Sequence, residues 1–431
     1  MSSALSVAPP MVRRGGPTDP AHDEQLRRGI IATDVSRPVA WLLSLLFLAA
    51  IYALPLSQAY LEKREGEDSS LAELFKRAPT AEHLRQVEKG IEEASYAKAW
   101  VQPRVQLWLT RLGRVGNKLA LVGHDGWLYY TPGVLHVAGP GFIDPATQRS
   151  REKDALDAGQ AVHADPIPAI LAFQHALARR GARLVLLPMP DKAALEPGPL
   201  GGRTSGPAQN VDYERFLEEL RRQGVAIFDA RRSAPMRRDE PLYLAQDTHF
   251  TPQFMERIAR DLAQVVDSFG VLSQVADAAA LHAVEQPVAR VGDLVDMLKL
   301  PEEQQVFLPQ SVLVHQVQLE NGEAWESDPS ADVLLLGDSF TNIFSLEDMG
   351  WGGSAGLAPH LALSLHRPID VIAQNDSGAF ATRQALSREL QAGQDRLAGK
   401  RVVIWEFASR ELSVGDWKPL DFPTPPAAEA K

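Results

Sequence analysis

The sequence predicts an α/β fold with a doubly wound, mostly parallel sheet, preceded by one N-terminal transmembrane helix. Three observations carry that prediction. Short continuous apolar runs alternate with amphipathic helical stretches, the signature of βαβ units buried on both faces. Polar residues gather just past the ends of these runs, where open parallel sheets bind ligands. And Pro38 to Leu56, "PVAWLLSLLFLAAIYALPL", is apolar throughout except for Ser44, long enough to cross a bilayer of ~30 Å as a helix.

Trp41 and Tyr52 sit near the ends of that segment, as interfacial aromatics do. Arg27, Arg28 and Arg37 precede it, whereas Glu62, Glu65, Glu67 and Asp68 crowd its far side. The positive-inside rule therefore makes residues 1–37 a cytoplasmic tail and 38–56 an uncleaved single-pass anchor in the inner membrane, with the remainder in the periplasm. A cleaved signal peptide competes, with "SQA" at 57–59 as its cleavage site. The long tail rich in Pro, Gly and charge is unlike a signal sequence. Residues 57–68 read as a charged linker.

Composition removes whole classes of chemistry. The chain has no cysteine, which excludes disulfides, thiolate metal sites and cysteine nucleophiles. Its net charge of −11 argues against nucleic acid as a partner, because phosphate binding needs a basic surface.

From Ser69 to about Thr110, apolar residues at three- and four-residue spacings predict helices. "KLALVGHDGWLYY" comes next as two short strands around a His-Asp-Gly turn. Strands are then expected at "ARLVLLPMP" (182–190), "VAIFDA" (225–230), "DVLLLGD" (332–338), "DVIAQND" (370–376) and "RVVIWEF" (401–407). Helical text such as "IPAILAFQHALARRG" and "YERFLEELRRQG" separates them. Residues 270–330 read as an insertion packed on the sheet. Residues 69–412 form one domain, and 413–431 is a C-terminal tail ending in the disorder-prone "DFPTPPAAEAK".

The chemistry gathers at "LLLGDSF", which ends an apolar run on Gly-Asp-Ser. An ordinary turn uses the same residues, but a serine at the carboxyl end of a parallel strand is also where a nucleophile belongs. Such a serine needs a base and an acid that orients it. "QDTHFTP" offers both: Asp247 and His249 are two apart, so an extended backbone points them the same way. Thr251 and Pro252 start a helix directly after. A surface turn pair is the competing reading of Asp247 and His249. "GGSAG" (352–356) matches the nucleophile-elbow pattern formally, but "LEDMGW" before it is no buried strand. Ser354 is therefore rejected, and its glycines read as a loop offering N–H groups near Ser339. No His-rich cluster, HExxH or phosphate-binding glycine loop appears, so neither a metal nor a cofactor is expected.

"LLLGDSF" with "DTHF" upstream resembles the SGNH-hydrolase-like domain of the alginate O-acetyltransferase (AlgJ/AlgX) family. In ordinary SGNH esterases the GDS block comes first and Asp-x-x-His last. Here Asp-x-His comes first, as in the acetyltransferases. "VGHDGWLYY", "LVLLPMPDKAAL", "AGLAPHLALSL" and "VVIWEFASREL" add to the resemblance, which spans about Ser69 to Leu412. The family usually carries Trp after the histidine; Phe250 replaces it and is expected to alter acceptor contacts. The short stretch after Leu412 predicts no appended carbohydrate-binding module, which favours the membrane-anchored AlgJ-like form.

The resemblance implies Ser339 as nucleophile, His249 as base and Asp247 as its orienting acid, with Asp338 bracing the turn. It implies oxyanion or substrate contacts from the Ser339 N–H, Gly356, Asn375 and Arg383. Arg410 is another candidate for acceptor hydroxyls or carboxylates, although surface charge is the plainer reading for both arginines. The activity it implies is acetylation of hydroxyls on an exported polysaccharide through an acetyl-serine, with a membrane-bound O-acyltransferase as the acetyl donor. The alternatives are a carbohydrate esterase (deacetylase) using the same triad and a non-catalytic polysaccharide-assembly scaffold.

Overall fold

The computed structural model describes residues 36–201, 208–235, 240–273, 280–375 and 378–423. The chain divides into two compact units, one ending at Val101 and the other beginning at Gln102. The expected N-terminal tail falls mainly on residues 1–35, outside the described residues. The expected C-terminal tail at 413–431 is corrected: Trp417 and Phe422 are buried in the core because their rings pack with Trp405, Phe407 and Phe173. Only 424–431 of that tail lie outside the described residues.

Among the described residues of the first unit a single helix, Arg37–Glu65, is long and apolar enough to cross a membrane, and its apolar stretch is exposed to solvent. That fits a single-pass anchor. The expected linker at 57–68 is corrected: residues 57–65 continue the helix. They do so because two polar side chains there are docked rather than solvated. Gln58 and Glu62 are buried, and Gln58 Nε2 donates to Glu62 Oε1 (2.8 Å) and to the Ala94 carbonyl (2.7 Å) at the end of the helix Ala81–Ala94.

The second unit carries nine strands among the described residues. β1 (Ala120–Val122) and β2 (Leu128–Tyr130) form the expected antiparallel hairpin. β3 (Arg183–Met189), β4 (Ala226–Ile227), β7 (Val333–Gly337), β8 (Asp370–Ala373) and β9 (Val402–Ala408) form one sheet in the order β4-β3-β9-β7-β8, every pair parallel. β5 (Leu281–Arg290) and β6 (Gln310–Leu319) pair with each other as a separate antiparallel ribbon.

Successive residues of a strand face opposite sides, and the core divides accordingly. Val185, Leu187, Val333, Leu335, Val402 and Ile404 pack on one face, against the helices Pro252–Ser268 and Leu357–Leu365. Leu184, Leu186, Leu334, Leu336, Val403 and Trp405 pack on the other, against Pro166–Ala178, Tyr213–Arg222 and Gly378–Gln391. Burial on both faces is why these strands read as unbroken apolar runs; each such Leu or Val stabilises the fold by about 1.5–3 kcal/mol.

The insertion at 270–330 is corrected in one respect. Its ribbon covers a helical layer, with Val314 of β6 among the residues of the 252–268 and 357–365 helices, whereas the end of the insertion meets the sheet edge, where Ser327 Oγ accepts from Val371 N of β8 (2.9 Å). Between β5 and β6 the chain forms the short helix Asp293–Leu298, which packs with Ala120 and Leu128 of the first hairpin.

Candidate active site

β7 is buried along its whole length, and its last residue and the two that follow are committed individually. Gly337 has no room for a side chain: a Cβ there would lie 2.1 Å from Thr341 Oγ1. Asp338 caps the short helix Ser339–Asn342. One carboxylate oxygen accepts from Phe340 N (2.8 Å) and the other from Ala408 N at the end of β9 (2.8 Å). Asp338 thus braces the turn, as expected. Ser339 is left half-buried at the first position of the helix, at the carboxyl edge of the sheet.

A loop from Leu242 to Thr251 brings the other two groups. Its arms are tied by Leu244 N to His249 O (3.1 Å) and Thr251 N to Leu242 O (2.8 Å), which holds Asp247 and His249 at its tip. His249 Nδ1 lies 2.7 Å from Asp247 Oδ1, and Nε2 lies 2.8 Å from Ser339 Oγ. With Asp247 accepting from Nδ1–H, Nε2 carries the lone pair that faces the serine hydroxyl.

The carboxylate is held by more than the imidazole. Asp247 Oδ2 accepts from Trp351 Nε1 (2.9 Å) and from Asp293 N (3.1 Å), and Oδ1 also accepts from His249 N (3.2 Å). Burial opposes ionisation of Asp247, but the hydrogen bonds and charge of His249, with those from Asp293 and Trp351, keep the carboxyl well below its usual range. For His249, burial disfavours the imidazolium, yet the Asp247 hydrogen bond and charge outweigh it and raise the pKa above 6.5. Burial and the charge of Asp247 push the neighbouring Asp293 up to about 6. Asp247, His249 and Asp293 are also a donor set of metal-ligand type, within 4.8 Å of one another. Asp247 and His249, however, already satisfy each other.

Trp351, Asp293 and Lys192 are the residues that sequence reasoning missed. Trp351 opens the glycine loop from which Ser354 was rejected. Ser354 itself donates its hydroxyl to the Trp325 carbonyl (3.0 Å). Lys192, within "LPMPDKAAL", is buried, and its ammonium donates to three carbonyls: Leu128 (2.6 Å), Ala245 (2.9 Å) and Asp247 (2.9 Å). Burial lowers its pKa to about 7, against the pull of Asp247, Asp293 and Glu196. It ties the first hairpin to the backbone of the acid.

Other expected residues lie elsewhere or act otherwise. Gly356 starts the 357–365 helix pressed against Ser345 and the Thr341 carbonyl, and its neighbour Ala355 donates to Phe344 O (2.9 Å). Close packing explains that glycine. Asn375 is exposed and its Oδ1 accepts from Asn342 Nδ2 (2.8 Å), which places it beside the Ser339–Asn342 helix. Arg383 is corrected on both readings: it is neither on the surface nor at the acceptor site. It is fully buried in the opposite core layer, with its guanidinium over the rings of Trp405 (4.7 Å) and Trp417 (6.0 Å) and Nε donating to Ala379 O (3.0 Å). Phe250 is likewise buried, edge-on to Phe340 at 5.1 Å, so the exchange for Trp repacks the core rather than an acceptor contact. Arg410 is no surface charge either. Asp191 Oδ1 accepts from Nη1 (3.2 Å), and the guanidinium stacks over Tyr130 (5.0 Å) and Phe340 (5.9 Å), the residue next to Ser339.

A hydrogen-bonded Ser–His–Asp set at the carboxyl edge of a parallel sheet defines a domain of the SGNH-hydrolase-like class. Residues 120–409 match the family described as ALGX, SGNH hydrolase-like domain, acetyltransferase AlgX, and the chain belongs to that family. It is 24% identical over 312 residues to the probable alginate O-acetylase AlgJ of Pseudomonas syringae pv. tomato, covering 70% of this chain and 71% of the relative. The probable alginate O-acetylase AlgJ of Pseudomonas aeruginosa is 26% identical over 331 residues, covering 74% and 78%. The solved O-acetyltransferase domain of Pseudomonas putida AlgJ superposes with a TM-score of 0.49 at 19% identity, over 69% of this chain and 93% of that one.

Proposed function

We propose that this chain is a membrane-anchored O-acetyltransferase that transfers acetyl groups to hydroxyls of an exported polysaccharide such as alginate. The observation that carries the proposal is the Asp247–His249–Ser339 relay at 2.7 and 2.8 Å, in a chain of the AlgX acetyltransferase family. Ser339 Oγ attacks the acetyl carbonyl and gives its proton to His249 Nε2, which passes it to the departing donor group. The product is acetyl-Ser339. A sugar hydroxyl then gives its proton to the same nitrogen as its oxygen attacks, and Ser339 is regenerated. Asp247 fixes the tautomer and stabilises the imidazolium formed in both steps. The Ser339 N–H, with Asn375 nearby, is the proposed donor to the developing oxyanion.

The unit that begins at Gln102 does this work outside the cytoplasm, held by the 37–65 helix. Acetyl-CoA is a cytoplasmic donor, so a membrane-bound O-acyltransferase is the proposed source of acetyl groups. An activated acetyl ester tests the reaction without that partner. Oligosaccharides of the producing organism's polymer should speed donor turnover and gain an acetyl mass, while an unrelated neutral oligosaccharide should do neither. Fast release of acetate from acetylated polymer, with no acetylated acceptor formed, would move the assignment to the esterase.

A further inference from the structure

Glu406 is a buried acid that the proposed reaction leaves unused. It sits in β9, the central strand of the sheet, and is fully buried. Ile404 and Ala408, on the same side of the strand, belong to the apolar core. A carboxyl at such a position costs desolvation free energy and needs partners to offset it.

Those partners belong to the turn that carries Ser339. Glu406 Oε2 accepts from Asp338 N (2.9 Å), on one side of the serine, and from Thr341 Oγ1 (2.9 Å), on the other. Gly337 leaves room for this approach, since a Cβ there would crowd Oε2 at 3.1 Å. One side chain therefore holds both flanks of the residue that must meet His249 within hydrogen-bond distance.

The other oxygen, Oε1, is buried and meets no donor among the described residues. The Asp338 side chain lies within hydrogen-bonding reach of the Glu406 carboxyl. Two carboxylates bond to each other only by sharing a proton, and a buried site opposes charging both. Their surroundings decide which acid keeps it. Asp338 accepts a backbone N–H on each oxygen, from Phe340 and Ala408, and its charge bears on the Arg410 guanidinium. Burial, and then the charge of Asp338, hold the Glu406 pKa well above the ordinary carboxyl value.

We propose that Glu406 is a positioning residue for Ser339, a neutral acid that clamps Asp338 N and Thr341 Oγ1 through one oxygen and donates to the Asp338 carboxylate through the other. The inference rests on Ser339 as the nucleophile. Glu406→Gln keeps both the acceptor and the donor, whereas Glu406→Met fills the space with neither.

Two rates read the variants in the full-length protein: turnover of an activated acetyl ester, and labelling of Ser339 by a sulfonyl fluoride. The second reports the serine whatever the acetyl acceptor is. Glu406→Met should lower kcat and the labelling rate about 10- to 100-fold with KM little changed, and Glu406→Gln should bring both back to within about threefold of the unaltered chain. Thr341→Val, which deletes one of the two bonds to Oε2, should slow labelling by about 3- to 10-fold and serves where the Met variant does not fold. Infrared difference spectra between the unaltered chain and Glu406→Gln at neutral pH should show the C=O stretch of a protonated carboxyl. The stretches of an ionised carboxylate in its place would overturn the neutral acid, and so would equal losses in the Gln and Met variants. Unchanged labelling in Thr341→Val or in a folded Glu406→Met would overturn the clamp. No labelling of Ser339 in the unaltered chain would instead overturn the nucleophile on which the inference rests.

Discussion

Asp247 shows how much of the site depends on a single carboxylate. It accepts from His249 twice, from Trp351 and from the Asp293 backbone, all in a buried setting. Because its charge raises the His249 pKa, the proposed base would be protonated and idle at low pH. Activity should therefore rise with pH on an acid limb above the ordinary 6.5. Asp247→Asn removes the negative charge, so kcat should fall and the limb should move to lower pH; a pH–rate profile reads both. Trp351→Phe leaves one carboxylate oxygen short of a charged hydrogen bond and should cost about 10- to 100-fold in kcat. Ser339→Ala should remove turnover of an activated acetyl ester by several powers of ten, while Ser354→Ala, whose hydroxyl serves the Trp325 carbonyl, should keep most of it. An inactive Ser354→Ala beside an active Ser339→Ala would reverse the assignment of the nucleophile. Lys192→Met strands three buried carbonyls and should lower unfolding free energy by about 1–3 kcal/mol or more, measured by denaturant titration.

At the scale of elements, the site is assembled from strand ends and loops whose legibility differed for physical reasons. "LLLGD" was readable because a strand buried on both faces must be apolar until it ends, and the residues just past that end are free to carry chemistry. Asp247 and His249 were readable because two-residue spacing aligns them locally. Trp351 and Asp293 were not, since their role is set by a packing of the β5–β6 insertion that no local pattern encodes. Arg383 misled for a related reason: a charge in amphipathic text reads as exposed, and only the fold shows that two indole rings accommodate it. The linker at 57–68 failed because Gln58 has a docking partner 36 residues away. The insertion also yields a prediction. Gly292 leaves no space: a Cβ there would lie 2.2 Å from the Gln246 carbonyl oxygen and 2.7 Å from Asp247 N. Gly292→Ala should push the Asp293 N–H off the carboxylate, lowering kcat with the circular dichroism spectrum unchanged. Full activity in that variant would show that the insertion does not position the acid.

For the molecule as a whole, the distribution of charge along the chain predicts which side of a membrane the domain would occupy. The helix Arg37–Glu65 has 29 residues, ~43 Å at 1.5 Å per residue, which exceeds a ~30 Å hydrocarbon core, so its charged last turns project beyond it. Arg27, Arg28 and Arg37 lie close before the apolar stretch, where the positive-inside rule counts them. Lys63 and Arg64 lie close after it and weigh against them, leaving a modest excess on the N-terminal side, since acidic residues contribute little to the rule. The five cations of residues 95–119 begin more than 30 residues past Glu65, beyond the window in which flanking charge acts. On the proposed function, the balance predicts that everything after the span lies outside the cytoplasm, where an exported polymer would be within reach of Ser339. Alkaline phosphatase, which matures only outside the cytoplasm, should be active when fused after Leu112, and a reporter that works only inside should be silent there. Reversing Arg27, Arg28 and Arg37 to Glu should shift a measurable fraction of the fusion to the silent orientation; a working cytoplasmic reporter in the unaltered chain would place the domain on the wrong side for the proposed reaction.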